Sequence, residues 1–148
     1  MKGQTLIELL IGLTITIVII SAITIVAISS LGNTRSSNNQ TQATRHAGEG
    51  MEIIRMIRNT NYAGFRSYNG TYCLTEGQTT LGARVSSCTV VNIDNTFIRS
   101  ALIQPNACGV NLSRATVTVS WTDKTCQSGA FCHASRLVSC FSTVSPFL

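Results

Sequence analysis

Apolar residues are concentrated near the start of this chain. No charged residue occurs between Glu8 and Arg35, and the run from Leu9 to Ile28 is dominated by Ile, Leu and Val. About 20 apolar residues in a helix, rising 1.5 Å each, cross a bilayer core of roughly 30 Å. The pattern therefore predicts a helix of membrane-spanning length. Ser29-Ser30-Leu31-Gly32-Asn33 leads into a polar stretch, Thr34 to Thr44, with only a weak apolar stripe, and apolar residues return at helical spacing at Ala43, Ala47, Met51, Ile54 and Ile57. Steps of three and four mark one face of a helix. Glu52 and Arg55 fall on the opposite face, placed for a weak ion pair. Together these segments predict one helix from Gln4 to about Asn61, roughly 85 Å long at 1.5 Å per residue and frayed at Gly32 and Gly48–Gly50.

Beyond Gly64 the preferences change to Thr, Val, Ser and Gly. From Ala115 to Thr122, Val117, Val119 and Trp121 alternate with Thr116, Thr118 and Ser120, the period of a half-buried strand. Phe97–Gln104 and Ala134–Ser142 are less regular strands, with a short one around Gly70–Leu74. The loop from Asp123 to Cys132 joins the last two strands as a hairpin. Successive strands without a second helix predict an α+β fold: a small antiparallel sheet packed on the amphipathic half of the helix.

The length of 148 residues suits one modest domain. Only 11% of residues are charged and 44% are hydrophobic, which excludes intrinsic disorder. A cleaved secretory signal fits poorly, because the apolar run is too long and only Lys2 precedes it. An ordinary single-span anchor accounts for everything except Glu8. A carboxylate at the edge of hydrocarbon costs a few kcal/mol, so its presence points to a function and a partner.

The opening Met1-Lys2-Gly3-Gln4-Thr5-Leu6-Ile7-Glu8-Leu9-Leu10-Ile11 resembles the prepilin signal of type IV pilins and type II secretion pseudopilins. The resemblance covers about thirty residues. It implies cleavage after Gly3 by a prepilin peptidase, N-methylation of Gln4, and Glu8 as the fifth mature residue, with the apolar helix retained. Gln4 stands where the family most often has phenylalanine, and the apolar run lacks the proline that major pilins often carry. The segments Glu49–Arg58, Phe97-Ile98-Arg99 and Val117–Trp121 look like PilV-like minor pilins. The fold so implied is type IV pilin-like. It comprises a leader at 1–3, a transmembrane and filament-core helix at 4–30, and a periplasmic or extracellular head at 31–148 with helix to about 62 and sheet from about 70. The implied function is that of a structural subunit of a pilus-like filament, a minor pilin assembled through its apolar helix. A pseudopilin of a secretion system and a DNA-binding minor pilin are the alternatives. Implied partners are other pilin subunits, the peptidase and methyltransferase, the cytoplasmic membrane and the assembly platform, in a single-pass bacterial protein that moves into a surface or periplasmic filament.

Six cysteines, Cys73, Cys88, Cys108, Cys126, Cys132 and Cys140, all follow the apolar run. An even number on one side of a membrane reads as disulfides in an oxidising compartment. Fifteen connectivities exist and the sequence does not choose among them. The favoured set is Cys126–Cys132 across the hairpin loop, with Cys73–Cys88 and Cys108–Cys140. A zinc site using Cys132 and His133 is set aside, because no C-x-x-C spacing occurs. The head carries few carboxylates, His46 and His133, and no nucleophile elbow, phosphate loop or metalloprotease motif. The expectation is therefore no enzyme, no cofactor and no metal.

Ten of the eleven basic residues and five of the six acidic ones lie beyond residue 30. Arg35, Arg45, Arg55, Arg58 and Arg66 follow the helix and its end. Such an excess suits phosphate binding, but no stacking platform accompanies it. Contacts with solvent, neighbouring subunits or lipid headgroups are the favoured reading over nucleic acid.

Overall fold

A computed structural model describes residues 4–127 and 130–142. The expected leader at 1–3 and the last part of the expected sheet, 143–148, lie outside the described residues. The elements are helix α1 (Gln4–Thr60), a short helix α2 (Tyr62–Phe65), and strands β1 (Gly70–Cys73), β2 (Phe97–Gly109), β3 (Leu112–Trp121) and β4 (His133–Ser142). The chain divides into two compact units, 1–38 and 39–148.

In the first unit the helix is exposed on every side, with Leu6, Leu9, Ile17, Ile25 and Leu31 all more than half accessible. It is long and apolar enough to cross a membrane. Its few polar residues do not spoil that character. Thr16, Ser21 and Thr24 donate their hydroxyls to the carbonyl one turn back, at 2.8 Å each, and Thr14 donates to the Ile11 carbonyl. Each hydroxyl is thus satisfied inside its own helix, as hydrocarbon surroundings demand.

The second unit is an α+β head. The sheet is a four-stranded antiparallel meander in the order β1-β2-β3-β4. The predicted helical stripe of Ala43, Ala47, Met51, Ile54 and Ile57 is buried to the last residue. It packs in one cluster with Tyr72 of β1, Phe97, Ala101 and Ile103 of β2, Ala115, Val117, Val119 and Trp121 of β3, and Phe141 of β4. Along β3 burial alternates strictly, with Arg114, Thr116, Thr118 and Ser120 on the other face.

Close approach of helix to sheet requires a glycine at position 50. A Cβ there would lie 2.8 Å from Val117 Cγ1 and 3.0 Å from Arg99 Cδ, whereas one at Gly48 meets nothing within 4 Å. The two positions are expected to respond with opposite sign. Gly48→Ala gains helix propensity of up to about 1 kcal/mol. Gly50→Ala forces neighbours in a closed core to move, which costs about 1–3 kcal/mol and outweighs the same gain. Urea midpoints of the two variants against the parent chain check this.

The structure corrects three expectations. Helix α1 runs unbroken through Gly32, Gly48 and Gly50, so the expected fraying is absent. Packing holds the segment from 43 to 57 regular, which outweighs the weak propensity of glycine. A second helix exists: Asn61 ends α1 and accepts the Gly64 amide on its side chain at 2.9 Å, starting α2 and burying Phe65. Strand β2 continues five residues past Gln104, through an irregular stretch between Gln104 and Gly109. Pro105 offers no amide to the ladder and Asn106 takes a left-handed φ of 56°, so alternation breaks there before pairing resumes at Gly109.

The three disulfides are Cys73–Cys88, Cys108–Cys140 and Cys126–Cys132, with Cα separations of 5.7, 6.1 and 5.5 Å. They tie the long β1–β2 connection to β1, the far end of β2 to β4, and the two sides of the β3–β4 loop to each other. In the chain-entropy picture the six-residue separation of Cys126 and Cys132 contributes about 2 kcal/mol, against about 4 for the 32-residue separation of Cys108 and Cys140.

Candidate functional site

Three groups of residues carry chemistry. The first is the charged start of the apolar helix. Gly3 lies outside the described residues, while Gln4 opens α1. Glu8 sits one turn further along, exposed, with no ion-pair partner among the described residues. A helix places residues four apart on one face, so Gln4 and Glu8 share a side of α1.

The second group is a buried polar cluster that the sequence reading did not pick out. Arg99 follows the core-facing alternation of β2 and is only 1% accessible. Its Nε donates to the Leu74 carbonyl at 3.3 Å, one Nη to the His46 carbonyl at 3.1 Å, and the other to the Thr75 carbonyl at 3.0 Å. Asn92 brackets the Arg99 backbone: its side-chain oxygen accepts the Arg99 amide at 2.8 Å and its nitrogen donates to the Arg99 carbonyl at 3.0 Å. Glu49 stands 3.6 Å from the guanidinium. His46, also buried, places Nδ1 3.1 Å from Glu49 and Nε2 3.1 Å from Asp94, with its ring tilted against Phe97. Asp94 and Asn95 form a left-handed turn, φ 47° and 51°, which delivers the Asp94 carboxylate to the helix.

Burial pulls the Arg99 guanidinium below the ordinary arginine range, opposed by the charges of Glu49 and Glu76. For Glu49, burial favours the neutral acid, but hydrogen bonds and charge from His46 and Arg45 outweigh it and hold the carboxyl below the usual glutamate range. A carboxyl depressed in the folded state stabilises the fold above its unfolded pKa, about 4.3, and that contribution disappears as pH falls through the lower folded value. Thermal stability of the parent chain is expected to fall as pH drops below about 4.3. Glu49→Gln, with no group there to protonate, is expected to lose less over the same acid range. Melting curves of both proteins across that range check the difference.

The third group lies where β3 and β4 end, at the register pair Trp121↔His133. The His133 ring stacks on Trp121, centroids 5.5 Å apart and planes 21° apart. Its Nε2 is 2.9 Å from Asp123 Oδ2 and 3.3 Å from the Thr125 hydroxyl. Asp123 Oδ1 accepts the Thr125 amide at 2.7 Å, and the Thr125 hydroxyl as well. Those Thr125 bonds, with His133, hold the Asp123 carboxyl below the usual aspartate range. The Cys126–Cys132 disulfide adjoins them, with Cys126 Sγ 3.8 Å from Asp123 Oδ1.

Several of the arginines following the helix are engaged within the chain. Arg45 pairs with Glu49, Arg55 with Glu52, and Arg58 donates to the Ser142 carbonyl at 3.3 Å. No protein-family model, curated protein or solved structure matches this chain.

Proposed function

We propose that this chain is a minor subunit of a type IV pilus-like filament, cleaved after Gly3 and assembled through its apolar helix. The observation that carries this reading is the coincidence of Gly3, Gln4 and Glu8 with an uninterrupted apolar helix at the spacing of the prepilin signal. Cleavage after Gly3 frees an α-amine that is cationic near neutral pH. The carboxyl group of Glu8 stands one turn along the same helix. When helices leave the bilayer and pack together, each amine and each carboxylate finds an opposite charge on its own or a neighbouring chain. Pairing of this kind in low dielectric fixes register more than it adds stability, because desolvation offsets the Coulomb gain.

The helix supports the reading by being apolar on all sides, with its hydroxyls bonded internally. Such a surface suits lipid first and a shell of similarly apolar subunit helices afterwards. The disulfide-joined α+β head suits a subunit exposed to an oxidising exterior. A pseudopilin would use the same chemistry in a secretion system. The arginines turned to Glu49, Glu52 and Ser142 take weight from a DNA-binding role.

Shearing filaments from producing cells tests the assignment. The chain is expected in the sheared fraction, and Gly3→Ile is expected to remain in the membrane at full length. Equal release of the parent chain and Gly3→Ile would contradict it.

A further inference from the structure

We infer that Asp123, Cys126, Cys132 and His133 form a redox-gated site for one zinc-class divalent ion, open only while Cys126 and Cys132 are reduced. Asp123, Cys126, Cys132 and His133 each offer one donor atom, and these four atoms lie within 4.8 Å of one another. Two thiolates, an imidazole and a carboxylate form a donor set typical of zinc. A tetrahedral ion with bonds of about 2.0–2.3 Å holds its ligand atoms roughly 3.3–3.8 Å apart. The four donors already lie close to that spacing, except that the two sulfurs, bonded at about 2 Å, must part by about 1.8 Å once reduced.

The donors are supported from outside, as metal ligands need to be. His133 is held flat on Trp121, whose own side chain is anchored in the core. Thr125 fixes the Asp123 carboxylate by two hydrogen bonds. Cys126 sits in a turn closed by its own amide on the Asp123 carbonyl at 3.2 Å. Asp123 and His133 flank the loop at the ends of two paired strands, so half of the donor set is placed whatever the state of the cysteines. The exposed position of Cys132 gives a reductant access to the bridge.

The gate is a thiol–disulfide exchange. A dithiol reductant attacks the Cys126–Cys132 bond through a mixed disulfide; that S–S bond breaks and a new one closes within the reductant. Two electrons and two protons pass from the dithiol to the two cysteines. The ion then binds as both thiols lose their protons, so uptake releases two protons and weakens as pH falls. A small-molecule disulfide reverses the exchange: its own S–S bond takes up the two electrons and is cleaved to two thiols, while the Cys126–Cys132 bond re-forms, removes both thiolates and expels the ion. The site has no dependence on filament assembly.

The test uses the full chain in detergent with Co²⁺ as the probe. Limiting phosphine reductant opens disulfides, and differential alkylation with mass spectrometry locates the thiols released. The expected result is release at Cys126 and Cys132 before the other four. Thiolate-to-cobalt charge transfer and tetrahedral visible bands then appear, saturate at one Co²⁺ per chain and vanish on adding Zn²⁺. The oxidised chain shows none. Cys126→Ser with Cys132→Ser abolishes the bands under the same reductant, and His133→Ala weakens cobalt binding by more than about tenfold, at least the loss seen when an outer-shell partner is removed. Near-ultraviolet dichroism of Trp121 verifies that these variants remain folded. The inference is overturned by absent bands in the reduced chain, by bands that survive the double serine variant, or by indifference to His133→Ala. It is equally overturned if the other bridges open first while Cys126–Cys132 stays closed.

Discussion

Glu8→Ala is expected to be cleaved after Gly3 as efficiently as the parent chain and to enter filaments at no more than about a tenth of its level. The reason lies in the difference between a bilayer and a filament. At the bilayer edge a carboxylate costs a few kcal/mol, reduced by snorkelling to the headgroups, so removing it eases insertion and does not impair it. In a packed bundle of apolar helices no headgroup is within reach. There the freed α-amine of Gln4 needs an anion, and Glu8 is the only acidic residue in the apolar part of the chain. Removing one partner of a buried pair leaves the other uncompensated at a cost of about 3–5 kcal/mol, far more than the intact pair contributes. A factor of ten requires only about 1.4 kcal/mol per subunit. Glu8→Gln keeps the shape and loses the charge, and is expected to fail likewise. Immunoblots of membrane and sheared fractions read both variants, and incorporation equal to the parent would remove any role for Glu8.

Arg99→Met is expected to destabilise the head by about 3–5 kcal/mol. Methionine fills much of the volume but donates nothing. The carbonyls of Leu74 and Thr75 lose their guanidinium donors, the His46 carbonyl is left with its helical bond alone, and Glu49 loses a cation 3.6 Å away. Buried groups left without partners cost about 1–3 kcal/mol each before any relaxation. Arg99→Lys keeps the charge, yet one ammonium cannot reproduce a planar fork reaching three carbonyls on two sides, so it is expected to recover less than half of the loss. Thermal unfolding of the full chain in detergent reads the effect as a fall of roughly 10–20 °C in the melting temperature. A change of only one or two degrees would show that the cluster contributes nothing net.

Much of this architecture was legible along the chain. The helix that could span a membrane is visible because Leu9–Ile28 is apolar on every side, so no knowledge of its surroundings is needed. The stripe from Ala43 to Ile57 and the alternation along β3 were equally readable, since each buries one face and leaves the other wet. What was missed depends on contacts across the fold. Arg99 occupies a core-facing position between Phe97 and Ala101, a signal present in the alternation, but a charged residue there reads as surface until three carbonyls are seen around it. His46 lies beside the helical stripe, and nothing local shows that Asp94 reaches it from a turn 48 positions later. Likewise Cys126, Cys132 and His133 lack the C-x-x-C pattern, and Asp123 joins them only because β3 and β4 end at the same level. Helix α2 escaped notice because one side-chain cap on Asn61 creates it, too short a device for periodicity to reveal.

The central claim is that the chain is processed as a prepilin, and its native N-terminus tests that most directly. Mass spectrometry of the protein isolated from its own cells is predicted to find a chain that begins at Gln4 with a methylated α-amine and retains the whole apolar helix. A chain that still begins at Met1, or one cut beyond Ala22, would contradict the account.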